Sequence, residues 1–176
     1  MRFIETGLPG AWLIEPEPIE DARGMFARTY CEREFAARGI AFRVVQCNTS
    51  YNVRSGTLRG MHYQAGAAAE DKLVRCTAGA IYDVIVDLRP GSATRLKWYG
   101  TELSAANRRM LLVPKGFAHG FKTLIDGAEV FYEMSEFHQP GAAQGVRWND
   151  PALRIRWPGG EPILSERDRG YPDLAP

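Results

Sequence analysis

No stretch of this chain is apolar for long enough to cross a bilayer as a helix. Its opening residues, Met1-Arg2-Phe3-Ile4-Glu5-Thr6, lack the apolar run of a signal peptide. No membrane partner is expected, and the chain reads as cytoplasmic. Cysteine is scarce: Cys31, Cys47 and Cys76 are an odd number without metal-ligand spacing, so they read as reduced thiols rather than a disulfide framework. An excess of one charge is missing too. The formal net charge is +1 with both signs spread along the chain, so nothing favours nucleic acid as a partner. Histidine is confined to His62, His119 and His138, and no repeat or low-complexity tract occurs.

What is present is an ordinary globular composition. With 176 residues, 45% of them apolar and 24% charged, the chain is expected to form one domain over residues 1–176. Only residues 31–39 read as a helix, closed by a glycine. Strands are expected at 11–19, 42–48, 71–77, 81–88, 96–103, 109–113, 117–124 and 128–136, with turns at 21–24 and 51–56. Short strands at this spacing predict an all-β fold, a sandwich or jelly-roll β-barrel with a few short helices. From about residue 150 the chain is rich in turn residues and charge, which predicts an irregular C-terminal segment laid on the barrel.

Chemistry concentrates in Gly56-Thr57-Leu58-Arg59-Gly60-Met61-His62-Tyr63-Gln64, where a titratable imidazole follows a guanidinium between glycines. In a metal-binding cupin jelly roll a second histidine would stand two residues after His62. Here that residue is Gln64, and two histidines with a glutamine make a poor transition-metal site, so no metal is expected. Strand alternation turns Lys72 inward if Leu73 faces out, and a lysine facing a barrel interior needs an anion. Glu70 or Asp71 neutralising it at the rim is the plainer alternative. His119, in an apolar run, reads in isolation as a hydrogen-bonded core residue as readily as a catalyst. Tyr132 is open in the same way: packing, or a proton donor across a cavity from a histidine.

Several motifs in order carry a family likeness. They are residues 56–64, Lys72-Leu73-Val74-Arg75, Asp83-Val84-Ile85-Val86-Asp87-Leu88-Arg89, Pro114-Lys115-Gly116-Phe117-Ala118-His119-Gly120-Phe121, Gly145-Val146-Arg147-Trp148-Asn149-Asp150-Pro151 and Leu164-Ser165-Glu166-Arg167-Asp168. Together they resemble the dTDP-4-dehydrorhamnose 3,5-epimerase (RmlC) family, nucleotide-sugar epimerases of the cupin superfamily, over nearly the whole chain. The resemblance implies a metal-free and cofactor-free jelly roll and a homodimer in which an N-terminal strand joins the partner's sheet. It also implies a nucleotide-diphosphate 4-keto-6-deoxy sugar as substrate. By the same resemblance His62 is the base, Asp168 its orienter, Tyr132 the acid on the opposite face and Lys72 the neighbour of the 4-keto oxygen. Arg23, Gln46, Asn48, Arg59 and His119 are implied to bind substrate, with the arginines near the diphosphate. Phe26, His138 and Arg167 complete the implied binding set.

This chemistry is coherent. C3 and C5 flank the C4 ketone, so losing either proton gives an enolate that a cation can stabilise. The chain departs from the family at Arg28, where a glutamate is common, at His138, where a base-stacking tyrosine is common, and at Arg167, where lysine is frequent. These departures cluster at the nucleoside end and raise the expectation of altered base recognition. The alternatives within reach are a 3- or 5-monoepimerase or ketoisomerase on another sugar nucleotide, or a non-catalytic sugar-nucleotide-binding cupin.

Overall fold

Alternation of side chains sorts thirteen strands into two facing sheets and a detached hairpin; the computed structural model describes residues 1–174, so the end of the expected 150–176 segment lies outside the described residues. The six-stranded sheet runs β1 (Arg2–Glu5), β2 (Trp12–Glu15), β10 (Met110–Val113), β7 (Lys72–Ala78), β12 (Ala128–Met134) and β5 (Gln46–Asn52). The five-stranded sheet runs β13 (Ala143–Gly145), β6 (Leu58–Gln64), β11 (Phe117–Thr123), β8 (Ala80–Asp87) and β9 (Trp98–Ser104). The hairpin pairs β3 (Ile19–Asp21) with β4 (Gly24–Phe26). The all-β jelly roll is borne out, as two hydrogen-bonded sheets rather than one closed barrel. Among the described residues no helix is long and apolar enough to cross a membrane.

The core lies between the sheets. Val74, Leu111 and Val130 from one meet Ile85, Leu103 and Phe121 from the other. The intervening residues face outward and are covered in turn. Leu73 and Met110 pack under Phe35 of the short helix α1 (Glu32–Ala36), while Val84 and Val86 are covered by Leu153 and Trp157 of the C-terminal segment. Strand β8 is therefore buried on both faces, which is why its apolar run alternates poorly. The C-terminal segment is irregular, as expected, and ends in α2 (Glu166–Arg169).

Three local expectations shift: the strand expected at 11–19 ends at Glu15, where Pro16 and Pro18 interrupt it and Ile19 starts the hairpin. The strand expected at 42–48 begins only at Gln46 and runs on to Asn52, through the first two residues of the expected turn. Phe42 is diverted: it stacks on Phe35 and its carbonyl accepts from the Tyr30 hydroxyl at 2.7 Å, so aromatic packing overrides β propensity there. The helix at 31–39 keeps only Glu32–Ala36 before the chain turns through Gly39, which takes φ +72°.

One backbone contact shapes everything that follows. Gly60 on β6 and Gly120 on β11 touch: a Cβ on Gly120 would lie 2.8 Å from the Arg59 carbonyl oxygen and 2.9 Å from the Gly60 Cα. The ladder between the two strands shifts at this point, from His119 opposite His62 to Phe121 opposite Arg59. A regular strand would send Arg59 and His62, three residues apart, to opposite faces. The irregularity absorbs the odd residue, and both side chains reach the same cavity. Gly120→Ala is expected to lower stability by roughly 2 kcal/mol or more, because besides the Met61 sulfur at 2.7 Å the added Cβ would meet backbone that cannot turn aside. Thermal melting checks it: an unchanged midpoint would mean the strands part freely.

Candidate active site

A cavity of about 270 Å³ opens between the inner faces of the two sheets, where the core stops filling the space. Five strands supply its wall: Asn48 and Ser50 from β5, Arg59 and His62 from β6, Lys72 from β7, His119 and Phe121 from β11, and Tyr132 and Met134 from β12. On β5, β7 and β12 the contributing positions are all even-numbered, so simple alternation delivers them. Cavities of similar size beside Trp12 and beside Arg75 hold no histidine.

His62 is held from behind. Its Nε2 lies 2.6 Å from Oδ1 of Asp168, which α2 carries in from the C-terminal segment and which is 4% exposed. Ser165 caps this helix, its hydroxyl accepting from the Asp168 N–H at 3.1 Å. Burial alone would raise the Asp168 carboxyl, but hydrogen bonds from His62, the Gly60 backbone and Ser165 hold it below the usual carboxylate range. Asp168 is thus an anion that fixes the imidazole in place, and the other ring nitrogen is left for a substrate. Tyr171 packs edge-on to His62 at 5.8 Å, in space that only a glycine at position 145 leaves open.

A second histidine–aspartate pair lies deeper. His119 Nε2 is 2.8 Å from Asp83 Oδ1, and the two residues are 4% and 0% exposed. Sequence reasoning missed Asp83 as a site residue, although the signal was there. An acid at an inward position of an apolar strand, between Ile81 and Ile85, must find a partner. Tyr132 stands edge-on to His119 with ring centroids 6.0 Å apart. Burial, reinforced by Asp83 and opposed by Arg59, pushes the Tyr132 phenol far up, so it stays protonated and keeps a proton to donate.

Lys72 faces in, as alternation requires, with Leu73 in the outer cluster. Its ammonium lies 3.1 Å from Glu70 and 3.5 Å from the His62 carbonyl oxygen. The plainer alternative is therefore half right: Glu70 does pair with Lys72, but both are buried and Lys72 still lines the cavity. Asp71 is engaged elsewhere, accepting from the Lys115 N–H. Gln64 is turned to backbone rather than to the cavity. Its amide donates to the Ala68 and Phe137 carbonyls and accepts from the Gln139 N–H at 2.6 Å.

The remaining expected residues divide. Asn48 and Arg59 are on the wall. Gln46 sits just behind Asn48, donating to its side chain at 3.1 Å and accepting from the exposed His138 backbone N–H. Arg167 does not line the cavity; its Nε donates to the Tyr171 hydroxyl at 2.8 Å. Arg23 and Phe26 lie away from this cavity as well. They ride on the β3–β4 hairpin, which pairs with neither sheet; Arg23 bonds to Asp21, and Phe26 is 73% exposed. Arg28, close by, pairs with Glu34 at 2.6 Å.

With this geometry in view, the likeness to known proteins is specific. The family model described as dTDP-4-dehydrorhamnose 3,5-epimerase matches residues 5–176. The enzyme of that name from Methanothermobacter thermautotrophicus is 45% identical over 98% of this chain and 94% of its own. A crystal structure of the Bacillus anthracis enzyme with TDP and PPi bound superposes with a TM-score of 0.95 at 46% identity, covering 98% of this chain and 99% of that one. The Legionella pneumophila enzyme in complex with dTDP-4-keto-L-rhamnose gives a TM-score of 0.91 at 37% identity, over 97% of this chain and 90% of that one. The family model over nearly the whole chain, together with a sequence and a fold shared end to end with these enzymes, places the chain in the dTDP-4-dehydrorhamnose 3,5-epimerase family.

Proposed function

We propose that this protein epimerises C3 and C5 of a dTDP-linked 4-keto-6-deoxyhexose without a redox cofactor. The observation that carries this is one cavity with an oriented base, His62 on Asp168, and a protonated phenol, Tyr132, on a different sheet. His62 removes the proton beside the ketone and becomes an imidazolium that Asp168 stabilises. The electron pair moves onto O4, where the Lys72 ammonium meets the developing charge. Tyr132 delivers a proton to the opposite face of the same carbon, which inverts it. The balance closes when His62 loses its proton to solvent and Tyr132 regains one. Arg59 suits the diphosphate, since guanidinium offers forked donors and keeps its charge.

The relatives bound to TDP and to a dTDP sugar support thymidine diphosphate as the carrier. Arg28 is already paired within its own chain, which argues against a new contact to a different base. We also read the chain as one domain that works as a homodimer. The β3–β4 hairpin, with Ile19 72% and Phe26 73% exposed, then carries Arg23 and Phe26 to the partner's cavity.

Turnover of dTDP-4-keto-6-deoxyglucose in deuterated water, followed by NMR, tests the reading. Deuterium is expected at both C3 and C5. Label at a single carbon would make the protein a monoepimerase, and label at neither would overturn the reading.

A further inference from the structure

We infer that Asn52 is a positioning residue that presets Arg59 for the substrate diphosphate, an inference that rests on the reading of Arg59 given above. Asn52 ends β5 and is 2% exposed. Both hydrogens of its amide are committed to backbone: Nδ2 donates to the Ser50 carbonyl at 3.2 Å and to the Ala128 carbonyl at 3.1 Å. That leaves the amide no freedom to flip, and Oδ1 must face the other way. There it accepts from Arg59 Nε at 2.8 Å, across the gap from the six-stranded to the five-stranded sheet.

The choice of atom matters. A hydrogen bond at Nε pins the guanidinium plane near its root and leaves both terminal amino groups unused. Among the described residues Arg59 has no ion-pair partner, although Arg2, Arg23, Arg28, Arg89, Arg109 and Arg147 each find one. Arg59 lines the cavity, and its free pair of amino groups forms the fork that fits two phosphate oxygens. An unanchored arginine must surrender rotamer freedom on binding; one tethered at Nε has surrendered much of it already. Asn52 acts on affinity through Arg59 and does not touch the reacting carbons.

A double-mutant cycle reads this directly. Asn52→Leu, similar in volume but without the amide, is expected to weaken dTDP binding by about tenfold in calorimetry, with the loss falling on KM rather than kcat. In an Arg59→Ala background the same change is expected to alter dTDP affinity by less than about twofold. An equal loss in both backgrounds would mean that Asn52 only supports the fold and would overturn the inference, as would no loss in either. If Asn52→Leu does not fold, Arg59→Lys carries the test. It leaves the Asn52 bonds to backbone in place, and it should lose affinity to nearly the extent of Arg59→Ala, because an ammonium cannot hold Asn52 and fork a diphosphate together. Lysine binding dTDP as well as arginine overturns the inference. Arg59→Ala binding dTDP as tightly as the parent overturns the reading of Arg59 itself, whereas a weak Arg59→Ala with an unaffected Asn52→Leu removes Asn52 alone.

Discussion

Replacing His62 by Asn should lower kcat by about 10³-fold or more while dTDP affinity changes by less than about threefold. Asparagine can still meet Asp168, so the loss isolates basicity rather than shape. The residue is well suited to the measurement because its ring is anchored on one side by Asp168 at 2.6 Å and open to the cavity on the other. The anchor also has a pH signature. The Asp168 carboxyl lies below its ordinary value of 3.8, so the stability this pairing contributes is complete above about pH 4 and is lost as the pH falls through the lowered value. Across the neutral range the orienting anion is intact. Steady-state kinetics with calorimetry decides: full turnover by the Asn variant would show that another group removes the proton.

Tyr132→Phe is the second large effect. It deletes one hydroxyl and keeps the ring that packs edge-on to His119, so the fold should be preserved. Turnover is expected to fall by about 100-fold or more, in keeping with the loss of a general acid. Exchange of solvent deuterium into the carbon that His62 deprotonates should continue, because that step does not use the phenol. The two activities separate only if acid and base address opposite faces. A variant that loses exchange and turnover in equal measure would place Tyr132 on the first step instead. Burial keeps the phenol protonated, so the parent enzyme should show no loss of this donor at neutral pH.

Much of the site was legible in the chain. Alternation around Leu73 sent Lys72 inward, and it lines the cavity. The glycine-flanked Arg59–His62 stretch marked the base-bearing strand, and family likeness joined His62 to Asp168, 106 positions away. Other features resisted reading for definite reasons. Asp83 looked like one polar residue in a buried strand because its partner, His119, comes from a strand that only the sheet order brings alongside. Asn52 fell inside an expected turn, and its role depends on Ala128 and Arg59, which lie far from it in the chain or on the other sheet.

Family likeness is what suggested roles for His62, His119 and Tyr132; composition and strand periodicity by themselves indicated an all-β sandwich or jelly roll and turned Lys72 inward. The latter two follow from local rules, since side-chain parity along a strand is set by the backbone alone. Tertiary structure decided what parity cannot. The β6–β11 ladder shifts where Gly60 meets Gly120, and Arg59 and His62 face one cavity. It also decided that Arg23 and Phe26 leave the body of the fold while Arg167 turns to Tyr171. Each of these outcomes depends on which distant backbone comes within contact distance, and that is a property of the packed sheets rather than of any one strand.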